Sequence, residues 1–149
     1  MGVPVAPAEA VIRILQRDPE AIWVFETDGR ITGGVAFLFL SQTGVEHLVA
    51  GRFNPHAPSE EYLVEANEKP AGVYFWGIYR EDPTSGGIRE TIAMLDNERF
   101  KDASLWTFPT GESGRAFFAR IGLRPFKAAV PNLYGLIRGQ TGPEFSQAA

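Results

Sequence analysis

The sequence predicts an α+β fold: a mixed, mostly antiparallel central sheet of six or seven strands with helices on both faces. Three observations predict it. An Asp28-Gly29 pair separates two apolar runs, which is a strong hairpin signal. A later run, "GVYFWGIYRED", is apolar almost without interruption, as a strand buried on both faces must be. That run is followed by a glycine-containing loop, a helical pattern and another strand pattern, which is a βαβ step set among antiparallel neighbours.

The elements follow in order. "PAEAVIRILQRDP" is an amphipathic helix with Val11, Ile12 and Leu15 on one face, Pro7 near its start and Pro19 beyond its end. The hairpin comes next, with Gly33 and Gly34 marking a bulge or a close backbone approach. "VEHLVAGRF" reads as a further strand. "NPHAP" is a turn, and Ser59 caps a helix reaching Ala66. The apolar run places residues 73–79 near the middle of the sheet. In "IRETIAMLDNERF", Ile88, Ile92 and Leu95 recur at helical spacing, and Arg99 and Lys101 suit the negative end of the helix dipole.

"ASLWTF" is a strand. The stretch "TGESGRAFFARIGLRPF" is a short helix that Thr110 or Ser113 can cap, with Phe117, Phe118 and Ile121 as its apolar face. Gly122 takes the left-handed position after it, and Leu123 makes the closing apolar contact. "LRPFKAAV" and "LYGLIR" are two terminal strands. Residues 1–138 form one domain, and 139–149 a polar tail that frays.

Composition excludes several chemistries. With no cysteine among 149 residues there is no disulfide, thiolate metal site or cysteine nucleophile. His47 and His56, the two histidines, lack metal-ligand spacing, so no metal is expected. A net charge of −4 with no basic run argues against nucleic acid. "VAFLFL", the longest apolar run, is too short to span a bilayer, and the first residues lack a signal peptide's pattern; a cytoplasmic protein is expected, with no membrane partner. Neither phosphate-binding glycine motif occurs, and Arg115 stands where a nucleophile elbow requires glycine.

The informative segment is "YREDPTSGGIRE". A helix that starts after a buried strand presents free N–H groups and a positive dipole end, and two glycines let an anion approach the backbone. Arg80 and Arg89 flank it. A pyrophosphate cradle and a plain glycine turn both fit this segment taken alone.

Together with "ASLWTFPTGESGRAFFARIGLRPF", this segment resembles the second half of the GNAT superfamily, the acyl-CoA-dependent N-acyltransferases. In that family a central strand, an anion-binding loop and a helix precede a strand, a short helix ending in a Leu-Gly-Phe-like motif, and two last strands. Ile121, Gly122 and Leu123 stand in the place of that motif. The resemblance spans roughly residues 22–138 and is specific only in its last third.

It implies acetyl-CoA as cosubstrate and a small-molecule or peptide amine as acceptor, with a homodimer as a possible assembly. Backbone groups of Trp76, Ile78, Tyr79 and Arg80 would pair with the pantetheine. Ser85, Gly86, Gly87, Ile88 and Arg89 would hold the pyrophosphate, with Phe118 beside the cleft. Phe118 falls where the family often places its Tyr acid, and Phe has no proton to give. Tyr134, Tyr79 or water is left to protonate the departing thiolate, and Glu26, Glu46, His47 and Glu81 are the candidate bases, with Tyr134 and Glu26 foremost as the catalytic pair.

The loop spacing also departs from the family, Gly111 stands at its Asn position, and its first strand has no counterpart. A GNAT-like CoA-binding or sensory module without catalysis is the alternative. A domain whose aromatic face, with Phe75, Trp76, Tyr79 and Trp106, docks a protein partner is a third.

Overall fold

A computed structural model describes residues 7–80, 87–127 and 130–138. The loop residues Glu81, Ser85 and Gly86 and the tail 139–149 lie outside the described residues.

Helix α1 (Ala8–Arg17) opens the described chain. It buries Ala10 and Ile14, whereas Ile12 and Leu15 are exposed, so the apolar face expected from Ile12 and Leu15 is corrected by about a third of a turn. Asp18 then caps a single 3₁₀ turn by accepting from the Glu20 N–H at 3.0 Å. Strands β1 (Ile22–Thr27) and β2 (Arg30–Leu40) form the expected hairpin. Asp28 and Gly29 take φ of 53° and 78°, the left-handed pair that a two-residue hairpin turn demands. The bulge falls at Thr32, one residue before the expected glycines: Phe25 faces Gly33 while Glu26 faces Ile31. Gly34 does serve close approach, since a Cβ there would lie 2.9 Å from the Trp23 carbonyl.

The run read as a strand at "VEHLVAGRF" is instead helix α2 (Gln42–Val49). Val45, His47 and Val49 alternate as a strand would, but Val45 and Leu48 are the residues buried, at helical spacing. The Ser41 hydroxyl accepts from the Gly44 N–H at 3.1 Å and starts the helix. Ser59 caps no helix through Ala66; only one 3₁₀ turn, Glu60–Tyr62, forms before the chain extends to bridge Leu63 to Leu40.

Strand β3 (Gly72–Arg80) is third in a six-stranded sheet, with β2 antiparallel on one side and β4 (Ser104–Thr107) parallel on the other. Helix α3 (Gly87–Leu95) joins them as the expected βαβ step. Its inward residues are Thr91, Met94 and Leu95; Ile92, expected inward, is exposed. Helix α4 (Gly111–Arg120) follows β4, and β5 (Arg124–Pro125) and β6 (Tyr134–Leu136) complete the order β1-β2-β3-β4-β6-β5.

Side-chain alternation along β2 assigns the helices to two faces. Ile14 of α1 and Met94 of α3 meet the Val35, Phe37 and Phe39 face. On the other face, the α2 residue Gly44 lies close to Leu40, and Val45 close to Gly72.

The end of α4 matches the sequence reading. Gly122 has φ of 107°, its N–H donates to the Ala119 carbonyl at 3.1 Å, and the Leu123 N–H donates to the Phe118 carbonyl at 3.0 Å. Those two bonds and the fully buried Leu123 are a Schellman stop. The start differs: Thr110 occupies the cap position without a side-chain bond to the helix, and Ser113 lies inside it.

One long-range anchor ties the 3₁₀ turn to Arg99; α3 stops at Leu95, so Arg99 and Lys101 lie beyond it rather than in its last turn, where the dipole argument expected them. Arg99 donates to Asp18 at 2.7 Å, to Glu20 at 2.6 Å and to the Glu68 carbonyl at 2.9 Å. Its guanidinium also lies 4.9 Å from the ring centres of Phe39 and Phe100. Burial pulls the Arg99 pKa down, but the bonds and charges of Asp18 and Glu20 outweigh it, so the cation is held more firmly than in water.

Candidate functional site

Two adjacent strands part company at the centre of the sheet. β3 and β4 pair only at Gly72–Ser104, Val73–Leu105 and Tyr74–Trp106. β3 then runs on to Arg80, paired among the described residues with β2 alone. The cause is local. Phe37 faces Phe75 and Ala36 faces Gly77, so Trp76 is an extra residue, and such a bulge bends and twists its strand. Trp76 is fixed there by its indole N–H, which donates to the Pro55 carbonyl at 2.6 Å. The Thr107 hydroxyl donates to the Phe75 carbonyl at 3.4 Å, beside the last paired residues.

A hollow of about 320 Å³ fills the split. One wall is β3 from Tyr74 to Ile78; the other is the β4–α4 connection and the first residues of α4. Phe118 lines it from the third turn of α4, 5.1 Å from the Phe75 ring and edge-on to it. Phe118 is nevertheless buried, at 5% exposure. The helix both packs the core and borders the hollow, which explains why its apolar pair is followed by so firm a stop.

The polar groups on the lining are few. Tyr74, Thr107, Thr110 and Ser113 bring hydroxyls, and Glu112 is the one carboxylate among the described residues there. Burial raises the Tyr74 pKa far above its usual value, so this phenol stays protonated at any physiological pH. No hydrogen bond to its hydroxyl is found among the described residues.

No protein-family model, curated protein or solved structure matches this chain.

The structure places the residues expected from the sequence in three groups. Trp76, Ile78 and Phe118 come together on the hollow. Tyr79, Arg80, Gly87, Ile88 and Arg89 continue β3 and open α3, as a strand followed by a helix start requires. Tyr134 and Glu26 do not join them. Tyr134 lies on β6, opposite Thr107 and Pro125, and Glu26 on β1 at the far edge of the sheet.

Glu46 and His47 are on α2, where His47 stacks on Tyr62 with ring centres 4.4 Å apart and its Nδ1 lies 3.0 Å from the Thr43 carbonyl. Of the aromatic docking face, Phe75, Trp76 and Trp106 are buried. Sequence reasoning missed Tyr74, Thr107 and Glu112 as lining residues. Only the alternation of β3 could have paired Tyr74 with Trp76, and nothing local marked Glu112.

Among the described residues, no three His, Cys, Asp or Glu side chains gather as a metal ion would need, and no helix is long and apolar enough to cross a membrane.

Proposed function

We propose that the protein binds an acyl-CoA in the split between β3 and β4 and transfers its acyl group to an amine. The observation that carries this reading is the free edge of β3 beside the hollow. An extended amide chain such as pantetheine can hydrogen-bond to that edge as an added strand does. The order β3, α3, β4, α4, β5, β6 supports it, because the resembled family has the same succession of strand, helix, strand, short helix and two strands. The start of α3 then receives the pyrophosphate through its free N–H groups.

For transfer, the amine nitrogen must lose a proton and attack the thioester carbon. The tetrahedral intermediate collapses with cleavage of the C–S bond, and the CoA thiolate leaves. Glu112 is the carboxylate on the lining that can take the amine proton. Phe118 gives the thiolate no proton, so the Tyr74 phenol on the lining or water must supply it, or the thiolate departs as the anion. A thiol with a pKa near ~8.5 permits that departure, at reduced rate.

Gly87→Glu sets a carboxylate at the first residue of α3, against the incoming phosphates. CoA affinity measured by calorimetry should fall by about 100-fold in this variant, since like charges meet near a dipole end that the wild type offers free. Wild-type protein that takes up no CoA at millimolar concentration would remove the reading.

Phe118 favours a second reading, a module that binds CoA without catalysis. Phe118→Tyr separates the two, because it puts a phenol at the position where the resembled family has its acid. Acetyl transfer to a panel of amines should rise by about 10²-fold in kcat with little change in KM for acetyl-CoA. A variant that binds CoA and still acetylates no amine establishes the module.

A further inference from the structure

A second hollow, of about 430 Å³, lies under α3 against the β1–β2 hairpin. It shares no lining residue with the split between β3 and β4. Its size falls in the range of small-molecule sites. Trp23, Phe25, Val35 and Met94 give it an aromatic and aliphatic lining, and Glu90 on α3 brings a carboxylate, while Glu26, between Phe25 and Thr27 on β1, has its side chain on the opposite face of the hairpin. Among the described residues no basic side chain lines it.

The aromatic wall is fixed rather than loose. The Trp23 indole N–H donates to the Glu20 carbonyl at 2.6 Å, and Glu20 is in turn held by Arg99. The bulge at Thr32 shapes the floor: the Thr32 hydroxyl, itself buried, donates to the Phe25 carbonyl at 3.4 Å. The Glu90 side chain is exposed.

We propose that this hollow binds an organic ammonium ion carrying an apolar arm. An aromatic face attracts a cation through the ring quadrupole, the Glu90 carboxylate adds Coulombic attraction, and the aliphatic part takes up the arm. A neutral ligand of the same shape would gain only the last of these, and an anion would be repelled. The inference stands on this hollow alone and does not depend on CoA binding.

Benzyltrimethylammonium is the probe, and benzyl alcohol its neutral counterpart. The chain has three tryptophans, so the ¹H–¹⁵N spectrum resolves three indole N–H signals, and the assigned Trp23 signal reports the site. Benzyltrimethylammonium should move the Trp23 signal and bind about tenfold tighter than benzyl alcohol. The variant Glu90→Gln should weaken it by about threefold at an unchanged melting temperature, because the side chain is exposed. Equal affinity for the alcohol, undiminished affinity in Glu90→Gln, or no movement of the Trp23 signal at millimolar probe would each overturn the proposal.

Discussion

Arg99→Met should destabilise the protein by about 3 kcal/mol, the lower end of what breaking a buried ion pair costs. The side chain being removed is only 12% exposed and Asp18 only 6%. Methionine keeps much of the apolar stem that lies over Phe39 and Phe100, so the loss is chiefly one of charge. Asp18 would be left as a carboxylate buried against the start of β1 with its strongest partner gone. Glu20, at 42% exposure, can turn to water, which is why the lower end applies.

For a chain of this length the melting temperature should fall by about 10 °C. Adding Asp18→Asn removes the orphaned charge and keeps an oxygen for the Glu20 N–H, so the double variant should melt above the single one. A single variant that melts with the wild type would show that the network is incidental to the fold.

Arg99 also shows where the sequence stops being legible. At the end of a helical pattern it reads as a cation placed for the dipole, and its partner Asp18 reads as part of a helix stop. A separation of 81 positions along the chain hides the pair. Features whose partners are close in sequence could be read: the Asp28-Gly29 turn, the unbroken apolarity of β3, and the Gly122 stop with Leu123 behind it. α2 could not be read by alternation alone, because Val45, His47 and Val49 imitate a strand. The cap that decides the matter, Ser41, lies just before the segment that was weighed.

The site divides in the same way. Trp76, Ile78 and Phe118 were legible because each sits in an element whose type was legible. The hollow itself was not, since it arises from one extra residue in β3 and from pairing with β4 that ends at Tyr74. Neither leaves a pattern along the chain. Tyr134 and Glu26 were chosen for their chemistry, and the sheet order sets three strands between β1 and β6. A proton donor and a base drawn from those two strands would have to act across the width of the sheet, so Glu112 is the better base for a reaction in the split.

Gly77→Leu should abolish CoA binding, by more than about 100-fold, and leave the fold intact. Gly77 lies on the stretch of β3 that has β2 on one edge and, among the described residues, no strand on the other. Its backbone is not left-handed, and a Cβ built there meets nothing within 4 Å, so leucine brings neither strain nor a clash. Stability should hold or rise slightly, because glycine in a strand gives up more backbone freedom on folding than leucine does.

Binding has no such tolerance. Gly77 lines the split, and a ligand laid along the free edge must approach that backbone closely. A leucine side chain stands in the way of that approach at the mid-point of the exposed edge, between Trp76 and Ile78. Gly77→Ala should lie between the two, since one methyl narrows the approach without closing it. Calorimetry across the three proteins should therefore give a graded loss in CoA affinity at nearly constant melting temperature. Full CoA affinity in a well-folded Gly77→Leu would mean that the free edge of β3 does not carry the ligand. The open edge would then be only the geometric consequence of the bulge at Trp76.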